Sequence, residues 1–259
     1  MRIQILIIFT LLILSNAAFP AANHSIKNVL IVVAMEEEAA PIIKLLKLTP
    51  ASAPDPNLPM KAYVGHYANL DVELILNGKD PMYGVQNIGT QPAVLATYLG
   101  ISHYHPDLVL SVGTAGGLSV KDVEIGDIYI SNKIYFYDRR LHSPDYKLYG
   151  AGGYHSMDTT SLIKKLNVKS GTVCSGDSFD EDQTDHEMFI KQGCIVKEME
   201  AAGVSWVCML TKTPMFALKG ITDHIGHVST HDEFEKNSAT VTKKLALKTQ
   251  AVLQYLSGS

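Results

Sequence analysis

Glu198-Met199-Glu200 places two carboxylates inside an apolar run, with Cys194-Ile195-Val196 before them and Ala201-Ala202-Gly203-Val204 after. Carboxylates in such surroundings need a partner or a task. The two vicinal hydroxyls of a ribose would supply one, because both donate to a single carboxylate. A second acid, Asp223, ends the apolar stretch 215–222, and a third cluster, Glu36-Glu37-Glu38, follows the apolar stretch 29–35. Three acids at the ends of apolar segments predict one acid-lined pocket. Taken singly, each acid is equally suited to a salt bridge or a helix cap.

The chemistry available to such a pocket is cleavage of an N-ribosidic bond. Burial would raise the pKa of Asp223 and let it share a proton with a ring nitrogen of a departing purine. Glu38 would orient a water, and Glu200 would hold the ribose diol. Inverting glycosidases use the same division of labour around an oxocarbenium-like transition state. Two further segments follow apolar strands. Gly113-Thr114-Ala115-Gly116-Gly117 reads as a tight turn or as backbone that approaches a ligand closely. It has neither the Walker A spacing nor the dinucleotide fingerprint, so no nucleotide cofactor is expected. Ser175-Gly176-Asp177-Ser178-Phe179-Asp180 offers a ring that would stack on a flat heterocycle, or that would simply fill the core.

The elements that must position these residues alternate. Strands are expected over 29–34, 108–112, 128–131, 173–175 and 215–221, and a hairpin from 63–66 and 72–76. Helices are expected over 36–46, 86–100 with Gly100 as the stop, 201–210 and 232–256. Pro54, Pro56 and Pro59 mark a loop, 137–154 reads as a surface excursion, and 224–231 as a polar loop. Buried strands alternating with helices predict an α/β fold in three layers, with the site beyond the strand C-termini.

A chain of 259 residues with 46% hydrophobic residues fits one large domain, expected over 23–259. Its net charge of −4 argues against a nucleic-acid partner. Residues 1–22 have a secretory signal pattern: Arg2, the apolar run 3–14, then small residues around Ala17 and Ala22. Export is therefore expected, with no membrane attachment once the leader is removed. Cys174, Cys194 and Cys208 form no C-x-x-C pair; their odd number does not suggest a disulfide scaffold, and Cys194 and Cys208 read as buried thiols. The ten histidines show no metal-ligand spacing, so no metal is expected.

The quoted motifs, with Ala34-Met35 before the first acids, Ile125-Gly126-Asp127-Ile128 and Ile221-Thr222-Asp223, resemble the 5′-methylthioadenosine/S-adenosylhomocysteine nucleosidases of the nucleoside phosphorylase superfamily. The similarity spans about 29–256. Asn77-Gly78-Lys79-Asp80, Gly84-Val85-Gln86-Asn87-Ile88-Gly89-Thr90, Asp138-Arg139-Arg140 and Leu148-Tyr149-Gly150 look closer to the plant-type branch. The resemblance implies a twisted mixed central sheet flanked by helices, a homodimer whose partner closes the 5′ pocket, and an adenine nucleoside plus water as substrates. It implies Glu38 on the water, Asp223 as the acid at adenine N7, and Met199 and Glu200 at the ribose, with Thr114 lining that pocket. It implies Phe179 stacked on adenine, the Asp180 backbone at the adenine edge, and Met35 beside the 5′ substituent. His231, standing where the bacterial branch has phenylalanine, departs from the pattern, as does the leader. Two other functions fit parts of the sequence: a phosphate-dependent phosphorylase, which would need a basic cradle such as Arg139 and Arg140 turned inward, and an exported nucleoside-binding or storage protein without catalysis.

Overall fold

The computed structural model describes residues 26–119, 122–226 and 230–258, and the expected leader lies outside them. Strand β1 (Asn28–Val33) is apolar on both faces. Val29, Ile31 and Val33 enter one core, while Leu30 and Val32 enter another. A strand built this way needs cover on both sides. On the first side α1 (Glu36–Leu46), α4 (Thr160–Leu166) and α7 (Thr230–Leu256) contribute Ile42, Leu162, Leu245 and Val252. On the second side α2 (Thr90–Tyr104) and α6 (Ala201–Thr211) contribute Ala93, Ala96, Ala202 and Val204. The result is the expected three-layer α/β arrangement around a mixed sheet.

In the sheet, β1 lies parallel to and between β4 (Leu70–Leu76) and β5 (Leu108–Leu118). Antiparallel β3 (Lys61–Tyr67) and β2 (Thr49–Ala51) extend it beyond β4. On the other side β10 (Met215–Ile225) runs parallel to β5. From β10 the order continues through β6 (Ile128–Phe136) and β8 (Lys169–Ser175) to β9 (Cys194–Glu198). The end of β9 returns to β5, pairing Lys197 and Val196 with Gly116 and Gly117. Strands β5, β10, β6, β8 and β9 thus close into a ring, which brings the ends of β5, β9 and β10 together. The short β7 (Gly152–His155) pairs with β6.

Several expectations change. The glycine segment 113–117 is no turn: β5 runs straight through it. Its glycines make room instead. A Cβ at Gly113 would lie 3.1 Å from Glu38 Oε1, and one at Gly116 would lie 2.7 Å from Asp223 Oδ2. Helix α2 begins at Thr90 and continues past Gly100, which faces inward; a Cβ there would lie 2.6 Å from Leu30 Cδ2. Close helix–sheet packing, not termination, explains that glycine, and the helix ends at His105 in the left-handed conformation. Strand β10 extends to Ile225, so the expected polar loop is shorter than 224–231. The excursion 137–154 is anchored by a fully buried Tyr137 and contains α3 (Lys147–Ala151) as well as β7. Cys194 is not a thiol: it forms a disulfide with Cys174, joining neighbouring strands β9 and β8, and Cys208 is the free, buried cysteine. Adjacent strands bring the two Cα atoms to 5.9 Å, within bridging distance.

Candidate active site

The first turn of α1 starts where β1 ends, and its three acids favour a helix N-terminus. Only Glu38 of the three points into the protein. Glu36 pairs with Lys61 at 2.5 Å and with Lys79 at 3.3 Å, and Glu37 accepts from Gln86. Glu38 is 3% exposed, and its Oε1 accepts from the Thr114 backbone N–H (2.6 Å) and hydroxyl (2.7 Å). Its Oε2 accepts from the Met35 N–H at 3.2 Å. Burial pushes the Glu38 carboxyl pKa up, against the pull of these bonds and of Lys219.

Glu198 ends β9 and also lines the cavity described below. It accepts from the Ser175 hydroxyl and from the N–H groups of Glu200 (3.1 Å) and Ala201 (2.9 Å), which satisfies the start of α6. Lys219, 1% exposed on β10, lies 2.6 Å from Glu198 Oε2. Desolvation works against its charge, yet Glu198, Glu200 and Glu38 outweigh it and hold its pKa above the ordinary value. Glu200 is half-buried at the cavity and accepts from the Gly89 N–H at 3.0 Å. Its pKa is raised by burial first and then by Glu198.

Asp223 is 4% exposed, and Thr222 Oγ1 donates to its Oδ1 at 2.7 Å. Burial raises its pKa, opposed by the Thr222 hydrogen bond and by Lys197. Phe179 sits in the loop between β8 and α5 (Gln183–Gln192), edge-on to Phe234 (6.1 Å) and His231 (6.3 Å). Asp177 of the same loop is a helix cap: its carboxylate accepts from the Thr90 N–H at 2.6 Å and from the Thr90 hydroxyl at 2.8 Å.

These parts enclose a cavity of about 300 Å³, at the small end of the range for small-molecule sites. Met35, Glu38, Thr114, Phe179, Met199, Glu200 and Asp223 all line it. Asp180 does not: it is exposed, and its carbonyl accepts from the Ser178 hydroxyl. A backbone role at a substrate edge did not require the side chain to face inward, but no cavity-lining atom belongs to this residue. The sequence reading passed over Lys197, which lines the cavity, and Lys219, which lies behind it. The available signal was a lysine inside an otherwise apolar strand, since a buried ammonium demands a partner. Arg139 lies 3.5 Å over the Phe136 ring, and Arg140 pairs with Asp185, so neither turns into the cavity. Among the described residues no cluster of three or more His, Cys, Asp or Glu side chains is placed to hold a metal ion.

The phosphorylase-superfamily profile matches residues 28–254. The chain is 37% identical over 239 residues to a 5′-methylthioadenosine/S-adenosylhomocysteine nucleosidase of Arabidopsis thaliana, covering 91% of this chain and 94% of the relative. It is 35% identical to a 5′-methylthioadenosine nucleosidase of the same plant, covering 90% and 88%. The solved apo structure of an Arabidopsis thaliana 5′-methylthioadenosine nucleosidase superposes with a TM-score of 0.89 at 33% identity, covering 91% of this chain and 98% of that one. The motifs, the fold and these similarities agree: the chain belongs to the phosphorylase superfamily and, within it, to the 5′-methylthioadenosine/S-adenosylhomocysteine nucleosidases, close to their plant members.

Proposed function

We propose that the protein hydrolyses the N-ribosidic bond of 5′-methylthioadenosine to adenine and the 5-thio-substituted ribose. The observation that carries this reading is the convergence of Glu38, Glu200 and Asp223, from three distant segments, on one cavity. Asp223, kept protonated to higher pH by burial, donates to the departing adenine, and its Oδ1 is steadied by Thr222. Glu38 is held by three hydrogen bonds and retains lone pairs for a water that attacks the sugar from the other side. Glu200 and Met199 meet the ribose, Phe179 the base and Met35 the 5′ substituent. The carboxylates around the sugar stabilise the developing cation.

Hydrolysis fits better than phosphorolysis. A phosphate at the position of the attacking water would meet Glu38, and like charges at that range repel. The cation that lines the cavity, Lys197, is already held by Glu181 at 3.0 Å. The test incubates purified protein with 5′-methylthioadenosine and S-adenosylhomocysteine in phosphate-free buffer and measures free adenine. Wild-type release with a loss of about 10²-fold or more in Asp223→Asn supports the reading. Release that requires phosphate, or an unimpaired Asp223→Asn, refutes it.

Two broader readings accompany this one. The protein is exported, a reading supported by the leader pattern and by the Cys174–Cys194 disulfide, which suits an oxidising compartment. Detection of the processed chain only in reducing cytoplasm would refute it. The protein is a homodimer, supported by the exposed apolar residues Met82, Tyr83, Val85 and Ile88, the last of which also lines the cavity. A monomer by light scattering at micromolar concentration would refute it.

A further inference from the structure

Lys197 is a cation in a place that ordinarily rejects one. It stands on β9 between Val196 and Glu198, and only 6% of its surface is exposed. Its Nζ donates to the backbone carbonyl of Phe179 and to Glu181 Oε2, the latter at 3.0 Å. The other oxygen of Glu181 accepts from the Gly226 N–H at 2.7 Å, just beyond the end of β10. One ion pair therefore ties the Phe179 loop to two strands: to β9 through the lysine and to the end of β10 through the glutamate. The same ammonium lies 5.7 Å from the Phe179 ring centroid and 6.0 Å from that of Tyr137, so it lies near two aromatic rings as well.

The strap passes beside Asp223. Lys197 and Asp223 both line the cavity, and Gly226 follows Asp223 by three residues. The charged and hydrogen-bonding groups that act on Asp223 include the Thr222 hydroxyl on its own strand, Lys197 from β9, Glu181 from the loop and Glu233 from α7. Lys197 favours the ionised acid, whereas Glu181 and Glu233 oppose ionisation.

We propose that Lys197 is a positioning residue of this active site, fastening Phe179 against the base and, with Glu181 as its counterweight, governing when Asp223 gives up its proton. The inference rests on the reading of Asp223 as the proton donor. It goes beyond the carboxylate machinery because Lys197 acts through two other residues and needs no contact with the reacting atoms.

The two halves of the ion pair make the proposal testable. Changing either one loosens the same strap, so a purely structural role moves the alkaline limb in the same direction for both variants. An electrostatic role does not. Losing the lysine charge raises the proton affinity of Asp223, and losing the glutamate charge lowers it. Because Asp223 works in its protonated form, the alkaline limb of kcat/KM against pH follows that affinity.

The experiment measures pH profiles of adenine release for wild type, Lys197→Met, Lys197→Arg, Glu181→Gln and Asp223→Asn. Lys197→Met is expected to move the alkaline limb up by about one pH unit, the scale of a single neighbouring charge. Glu181→Gln is expected to move it down, and Lys197→Arg to leave it near the wild-type position. KM is expected to rise several-fold in Lys197→Met, where Phe179 loses its anchor. Limbs that move together, or not at all, overturn the proposal. If Lys197→Met fails to fold, the downward movement in Glu181→Gln decides alone. An inactive Asp223→Asn with unsplit limbs refutes only this inference, whereas an active Asp223→Asn refutes the proton-donor reading beneath it.

Discussion

Lys219→Met removes the ammonium paired with Glu198 at the centre of the acidic cluster, replacing it with an apolar chain of similar length. In the wild type, Lys219 Nζ lies 2.6 Å from Glu198 Oε2, with both side chains 1% exposed, and Glu200 and Glu38 add to the field on it. Stranding one member of such a buried pair costs about 3–5 kcal/mol. Glu198 keeps its bonds from the Ser175 hydroxyl and the Glu200 and Ala201 amides, which places the expected loss toward the lower end. For a domain of this size, about 2–4 °C accompanies each kcal/mol, so the melting temperature should fall by about 6–15 °C. The double variant Lys219→Met/Glu198→Gln discharges the stranded carboxylate and should recover about half of the loss or more. Urea unfolding at pH 7 reads all three proteins, provided the slope m is unchanged. The reasoning is refuted if the single variant stays within about 1 kcal/mol of wild type, or if the double variant is no more stable than the single.

Glu38→Gln should lower kcat by about 10²-fold or more while leaving binding of an adenine nucleoside nearly intact, because an amide still occupies the site but no longer activates water; calorimetric titration beside turnover separates the two, and full turnover would remove Glu38 from the water. Glu73, buried on β4 with Oε2 unpartnered, has its pKa pushed to about 7 by burial and then by Asp71. That folded-state value lies above the unfolded one of 4.5, so the protein loses stability as pH rises from about 4.5 to 7 and carries the full penalty above that. Glu73→Gln should flatten this slope and add about 1–2 kcal/mol above pH 7; an unchanged pH dependence of urea unfolding would contradict the assignment. Reduction of the Cys174–Cys194 bridge releases a loop with a sequence separation of 20 and should cost about 3 kcal/mol. Matching melts with and without reductant, with reduction verified by thiol titration, would show that the bridge adds nothing.

The sequence alone carried the layered α/β plan, because strands apolar on both faces and one-sided helices are periodic and local. Helix α1 could be read to its end residues, since Glu36-Glu37-Glu38 favour its start and the apolar stripe Ile42, Leu46 defines its inner face. The acids were legible for the same local reason: a carboxylate embedded in apolar neighbours must be doing something. Their convergence was an expectation until the ring of β5, β10, β6, β8 and β9 brought three strand ends together. What each glycine does was a tertiary matter: the run 113–117 looks like a turn, but only the position of Glu38 and Asp223 shows that the missing Cβ atoms of Gly113 and Gly116 make space for carboxylates. Pairing was equally non-local. Nothing adjacent to Cys174 names Cys194 as its partner, and nothing around Lys197 or Lys219 names Glu181 or Glu198. Residue types dictate which groups need partners, through the cost of burying them alone; the path of the chain through space decides which partners they meet.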